Sequence, residues 1–522
     1  MPAFLRRLNR PIVAIIAVAA LAGGIRLWGL SQPADLVFDE IYYAKSGCVF
    51  IGGTDQICRV DSSDEHYWVE NKWDMGSWVH PPLGKWMTGM GIKAFGMDAF
   101  GWRLPSALSG TLVAVMVALM AQLLFAKTVW TFVAGAMVAM DGLNVVMSRI
   151  AMLDVHLEFW VVLGFLCVVL DRRWIDRRTA AKEVGEPPLP SDEEPSEAPE
   201  APGSLEAPEA TRRAPRVPSP LWRPWRFAAG VAFGAGIAVK WSGISALAVA
   251  VVLTLIWETT RRHRGDVSRT RAFARTIGME TLGILLAFLL VPALVYMASW
   301  LPWFNHFGFH LGAWWDNQKA MWDYHKGLTE FAYDSKTETF TPTHSYYSEA
   351  WSWILLRRPV NLYVLDVGDQ VRQILTIGNP VLFWGTVWAI PYAAWSWWRR
   401  HDWTAGFVTM AFLGLWLPWF AVSRPQFFFY ALPLTPFMVL ASVITLRDIS
   451  EAKLVVRDDT GEVAIDPETG LPAISSRHPY RPIVWIYLIA FVALFIWFWP
   501  LYVGSLIPDS FWRLHIWLPT WN

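Results

Sequence analysis

Little of this chain is charged. Of 522 residues 17% carry charge, and 44 basic against 44 acidic side chains give a formal net charge of zero. No basic stripe with interleaved aromatics is present, which argues against nucleic-acid binding, since phosphate neutralisation draws on clustered Lys and Arg. The 11 His residues show no metal-site spacing such as HExxH, and His66, His80, His306, His310, His325 and His344 are scattered through the non-membrane segments. No metal ligand set and no required cofactor is therefore predicted, and a divalent ion is left open. No internal repeat is visible and the polar groups gather at one interface, against a transporter with repeated halves and mid-membrane charges. Cysteine is nearly absent, with three. Cys167 falls inside an apolar run, whereas Cys48 and Cys58 share one loop and form a candidate disulfide.

What is abundant is apolar. Hydrophobic residues make up 54%, Trp alone 34, and the mean hydropathy is +0.31. An all-α polytopic membrane protein is predicted, because crossing about 30 Å of hydrocarbon takes roughly 20 apolar residues in a helix. The start, MPAFLRRLNRPIVAIIAVAALAGGIRLWGL, reads as a retained first helix. Arg6, Arg7 and Arg10 stay inside, so the residues after Leu30 emerge on the extracytoplasmic face. Further runs begin near Pro105, Val129, Leu153, Phe227, Ile244, Ile277, Ile377, Phe407, Phe427 and Ile483, about eleven spans in all. DRRWIDRR, RRHRGDVSRTRAFAR and Arg399 with Arg400 all fall inside by the same rule. The pair around GVAFGAGIAVKWSG is short enough to be re-entrant instead.

The organisation that follows is helices 1–4 within 1–182, a cytoplasmic loop at 183–220, helices 5–10 within 221–446, a second cytoplasmic loop at 447–482, and a last helix with an extracytoplasmic end at 483–522. The 183–220 segment is Pro-, Glu- and Ala-rich with almost nothing to bury, and disorder is expected there. Two extracytoplasmic segments, 31–103 and 299–372, are left to carry an active site.

Their polar residues define the candidates. VFDEIYYAK sets Asp39 and Glu40 among Phe38, Ile41, Tyr42 and Tyr43. An acid pair usually just solvates a helix end, but a carboxylate in aromatic surroundings can gain basicity by desolvation and act as a general base. WVHPPLGKW offers His80 and Lys85, either a rigid interfacial turn or cations for an anionic group. Arg103 in GWRLPSALSG is either a lipid anchor or a phosphate clamp. In MSRIAMLD, Arg149 and Asp154 read first as a structural ion pair. His344 in PTHSYYSEAWSWILLRRP and Arg424 in SRPQFFFYALPLTP are further phosphate candidates within an aromatic belt.

In order along the chain, FDEIYYAK, HPPLGKW, RLPSALSG, SRIAMLD, the KWSG containing Lys240, and FFFYALPLTPF resemble the protein O-mannosyltransferases, nearest to bacterial, actinobacterial-type members without the large soluble insert of eukaryotic relatives. The resemblance implies a GT-C glycosyltransferase fold and mannose transfer from polyprenyl-phosphate-mannose to Ser or Thr hydroxyls of secreted polypeptides, with inversion, at the outer face of the cell membrane. It implies the acid pair Asp39 and Glu40 at the reacting hydroxyl, with Asp39 assigned as base, Glu40 orienting the acceptor or the loop and the choice between the two left open, and Arg103, His80 and Lys85 at the donor phosphate, which His344 and Arg424 can join. Arg149, Asp154 and Lys240 are additional site candidates, and the Sec translocation machinery is a candidate partner. The alternative within the same class is a transferase of arabinose, aminoarabinose or glucose.

Overall fold

The computed structural model describes residues 10–53, 55–60, 79–183, 219–263, 267–334, 339–456, 462–465, 473, 475 and 477–521. Arg6, Arg7, His66, Trp78 and nearly all of the expected disordered loop at 183–220 lie outside these residues. Of the about eleven expected spans, seven correspond to helices long and apolar enough to cross a membrane. Three correspond to shorter apolar helices, Pro11–Leu27, Thr128–Met140 and Pro224–Val239, and one to the 21-residue helix Pro380–Arg400.

The second large loop is not all-helical. After the helix Leu311–Gly327 it forms an antiparallel hairpin, β1 (Phe331–Asp334) with β2 (Thr339–Pro342). Then come β3 (Asn361–Val367) and β4 (Gln370–Leu375), and β4 also pairs with β5 (Leu506–Pro508), which follows the helix Arg481–Val503. The turn between β3 and β4 contains Gly368 at φ +63°, a conformation that favours glycine. Tyr363 on β3 donates to Asp35 at 2.9 Å and so ties this sheet to the first loop.

The first loop is folded around one guanidinium. Arg103, near the start of the helix Ala99–Phe125, donates Nε and Nη2 to the Glu40 carboxylate at 2.8 Å each. Its other three N–H groups go to the carbonyls of Leu30 (3.2 Å), Pro33 (2.6 Å) and Asp35 (2.9 Å). That accounts for all five donors of an arginine, and both side chains are fully buried. Glu40 in turn accepts from the backbone N–H of Val37 and of Ala151, both at 2.8 Å. Arg103 is thereby corrected as a phosphate ligand, having no donor left, and Glu40 as an alternative base, its oxygens being taken up in holding the loop, the other role expected for it.

Arg149 is also corrected. It makes no pair with Asp154; its Nη1 and Nη2 donate to the carbonyls of Ile25, Arg26, Trp28 and Gly29, at and just beyond the C-terminal end of the helix Pro11–Leu27. The carbonyls of Ile25, Arg26 and Trp28 are among those a helix end leaves without intrahelical partners, and a cation there also complements the helix dipole.

A close helix crossing brings the rest together. An added Cβ at Gly89 would stand 2.4 Å from the carbonyl oxygen of Gly47, so only glycine lets the helix Leu83–Phe95 touch the helix Glu40–Phe50 this closely. The latter is joined by a Cys48–Cys58 disulfide, with a Cα separation of 5.7 Å.

Breaking a buried pair leaves an uncompensated charge and typically costs about 3–5 kcal/mol. Glu40→Gln, which also turns an amide N–H₂ toward a set of donors, is expected to lower stability by about that amount in thermal unfolding of the detergent-purified protein. Wild-type stability in that variant would remove the pair from its structural role.

Candidate active site

Asp39 turns the opposite way from its neighbour. It is the residue before the helix Glu40–Phe50, its side chain does not cap that helix, and Phe38 before it adopts φ +52°, an uncommon and strained conformation for a bulky residue. The result places Asp39 on the wall of a cavity of about 620 Å³ while Glu40 is sealed behind it. The same cavity is lined by Tyr43, His80, Lys85, Asp154, Lys240, His325, His344, Arg424 and Tyr430. Of the residues expected from sequence to form the site, the structure brings together Asp39, His80, Lys85, His344 and Arg424, with Asp154 and Lys240. It leaves out Glu40, Arg103 and Arg149.

The position of Lys240 follows from a helix break. The helix Pro224–Val239 stops, Lys240 is extended (φ −155°, ψ 132°), and a 3-10 turn Trp241–Gly243 leads into the helix Ile244–Arg262. The two short runs are thus separate helices with the lysine at their junction. Lys240 Nζ donates to both oxygens of Asp154, at 2.9 and 3.1 Å, and lies 4.5 Å from the ring centroid of Tyr430. Asp154 is at the start of the helix Leu153–Glu183.

Arg424 is held by neutral partners. Its Nη1 is 2.7 Å from His325 Nδ1 and its Nη2 donates to the Tyr430 hydroxyl at 3.1 Å. Its Nε is buried without a partner among the described residues. His80 stacks on His325 with centroids 5.3 Å apart, and the Lys85 ammonium donates to the His80 carbonyl at 2.8 Å, which ties the HPP turn to its own helix. His344 accepts from the Tyr346 N–H at 3.2 Å and sits edge-on to Phe427.

Burial tunes these groups. It raises the Asp39 carboxyl to a pKa of about 6, an effect partly offset by Lys240 and reinforced by Asp154. His80 is pushed well below the ordinary imidazole range by burial and then by the surrounding cations, and His344 is lowered by burial. Both are therefore neutral near pH 7 and meet an anion as N–H donors, whereas charge comes from Lys240 and Arg424. Burial also lowers Lys85 well below the usual lysine value.

The arrangement offers one carboxylate that accepts no hydrogen bond among the described residues, in one cavity with the Lys240 and Arg424 cations and several aromatic rings. Such a set can take a proton from a hydroxyl and stabilise a developing oxyanion. His325 is the residue sequence reasoning passed over, because it was weighed only as a metal ligand. Its place in the aromatic-rich stretch AWWDNQKAMWDYHKG was the available signal, and nothing in the sequence joined it to the HPP turn.

Comparison with known proteins bears on the family and the fold. Residues 16–176 match the family model described as dolichyl-phosphate-mannose-protein mannosyltransferase, and residues 310–521 match that of the C-terminal four TMM region of protein-O-mannosyltransferase. A polyprenol-phosphate-mannose--protein mannosyltransferase of Mycolicibacterium smegmatis is 29% identical over 540 residues, covering 97% of this chain and 92% of the relative. The protein of the same name from Corynebacterium glutamicum is 28% identical over 501 residues, covering 88% of each. Among solved structures, the S. cerevisiae protein O-mannosyltransferase Pmt1-Pmt2 complex bound to the sugar donor superposes with a TM-score of 0.66 at 14% identity, covering 98% of this chain and 92% of that one, a likeness of fold. With both family models falling in order along one multi-pass helical chain, this protein belongs to the protein O-mannosyltransferase family.

Proposed function

We propose that this protein transfers mannose from polyprenyl-phosphate-mannose to Ser or Thr hydroxyls of secreted polypeptides, with the cavity opening at the extracytoplasmic face of the plasma membrane. The observation that carries the reading is that one cavity holds the Asp39 carboxylate, which accepts no hydrogen bond among the described residues, together with Lys240 and Arg424. The names of the relatives support the donor and acceptor classes.

In this reading Asp39 accepts the proton of the acceptor hydroxyl as its oxygen bonds to the anomeric carbon. The bond from that carbon to the phosphate oxygen breaks on the opposite side, and the electron pair leaves on polyprenyl phosphate. Direct displacement inverts the anomeric centre, so a β-linked donor gives an α-mannoside. The phosphate gains charge in the step, which makes Arg424 and Lys240 most effective in the transition state. Lys240 must first be shared with Asp154. His80 and His344 supply neutral N–H groups, and Lys85 fixes the turn that presents His80. The polar wall holds the sugar phosphate, and the prenyl chain would lie between helices. No nucleotide sugar is needed on the outer side, where acceptors arrive as unfolded chains and the Sec machinery is the fitting source.

The direct test is mannosyl transfer to a Thr-rich peptide in membranes carrying the full chain. Asp39→Asn is expected to lose about 10²- to 10⁴-fold in turnover, the usual worth of a general base, while donor binding is retained. A wild-type rate would eliminate Asp39 as the base, and transfer from GDP-mannose alone would sink the lipid-donor reading.

The pH profile offers a second check. A base works only when ionised, so activity is full above the Asp39 pKa and is lost as pH falls through it. With that pKa raised to about 6, kcat/KM for transfer should drop on the acid side with a one-proton slope centred near 6. A midpoint near 4 would mean that the base is not the desolvated Asp39.

A further inference from the structure

His325 lies in the last turn of the helix Leu311–Gly327. That helix turns Trp315 and Trp322 outward, 58% and 59% exposed, and is tied to the Lys240 junction by a chain of hydrogen bonds: Trp241 Nε1 donates to the Tyr296 hydroxyl (3.0 Å), which donates to Gln318 (2.7 Å). At the end of the helix the His325 ring is bonded through both nitrogens. Nε2 is 2.9 Å from the carbonyl oxygen of Val79, next to His80. A carbonyl can only accept, so Nε2 carries the proton. In the neutral ring Nδ1 then presents a lone pair, and it is this atom that stands 2.7 Å from Arg424 Nη1, a group that can only donate. Protonating the ring would set one N–H against another. Consistent with this, His325 is lowered to about 4, by burial first and then by the Arg424 charge.

An arginine is more often oriented by a carboxylate, which fixes its direction and also cancels its charge. A neutral imidazole fixes the direction and leaves the charge intact. Together with Tyr430 it constrains two corners of the fork, while Nε remains buried and unpartnered among the described residues. We propose that His325 is the positioning residue that aims Arg424 at the donor phosphate without neutralising it, anchored in turn by the Val79 carbonyl of the HPP turn.

This inference rests on Arg424 binding the donor phosphate. The test therefore measures donor and acceptor kinetics of the full chain, with polyprenyl-phosphate-mannose and a Thr-rich peptide, in five variants: His325→Phe, His325→Asn, His325→Asp, Arg424→Ala and the double variant His325→Phe with Arg424→Ala. His325→Phe keeps a flat ring against His80 but removes both hydrogen bonds. It should lower kcat/KM for the donor about 10-fold, the loss expected for one hydrogen bond to a charged group, with the acceptor KM unchanged. His325→Asn retains a neutral acceptor toward Arg424 and should stay within about threefold of wild type. His325→Asp has the same shape but brings a negative charge, and should fall at least as far as the Phe variant. In the Arg424→Ala background, His325→Phe should cost no more than about twofold further, because partners acting through one another are not additive.

A full additional loss in that background, or an Asp variant as active as the Asn variant, would overturn the role assigned to His325. Unchanged donor kinetics in Arg424→Ala alone would instead overturn the phosphate role of Arg424. A fall in acceptor and donor parameters together in His325→Phe would mark a general structural defect and also count against the proposal.

Discussion

The buried pair of Glu40 and Arg103 is the contact on which the site is built. One guanidinium gathers the carbonyls of Leu30, Pro33 and Asp35 together with the Glu40 carboxylate. Glu40 extends the arrangement to Val37 and Ala151. A loop of polar backbone next to a membrane has to satisfy its carbonyls somewhere, and an arginine can satisfy several at once without water. With Glu40 so occupied, its neighbour is turned the other way by the strained Phe38 backbone, and Asp39 meets the cavity. Two adjacent acids thus have opposite fates.

The polar groups of the cavity come from distant stretches of chain, each presented by a local irregularity. Lys240 projects where a helix is broken, Arg424 lies just beyond a 3-10 turn, and His80 sits on a Pro-rich turn secured by Lys85. Placing charge at helix interruptions is economical in a membrane protein, since the side chain needs a polar space and the interrupted backbone needs one as well. Asp154 pairs with Lys240, which avoids a bare buried ammonium.

Much of this was legible in the order of motifs. The acid pair, the HPPLGK turn and the final aromatic stretch are local features, and their membership in one site follows from the topology that puts them at one end of the bundle. What could not be read was how donors would be allotted. Arg103 looks like a phosphate ligand until its five N–H groups are counted against real carbonyls, and Arg149 looks like the partner of Asp154 because the two are close in sequence, whereas Lys240 reaches Asp154 from 86 residues away. The strands were a different kind of miss. NLYVLDV and QVRQIL flank a Gly-Asp turn, a hairpin signal that was present but was outweighed by the strongly helical remainder of the chain.

The small sheet couples stretches far apart in the chain. β5 follows the last long helix, and its pairing with β4 is joined by the Asp509 N–H bonded to the Asp369 carbonyl and by the Trp521 indole bonded to the Leu356 carbonyl. The loop that carries His344 is thus braced from three sides: by Asp35 of the first loop, by Gln426 beside the cavity, and by residues 506–521 beyond the last long helix. A disturbance in any of these distant stretches would reach the same loop, so the cavity wall is only as firm as contacts that lie well outside it.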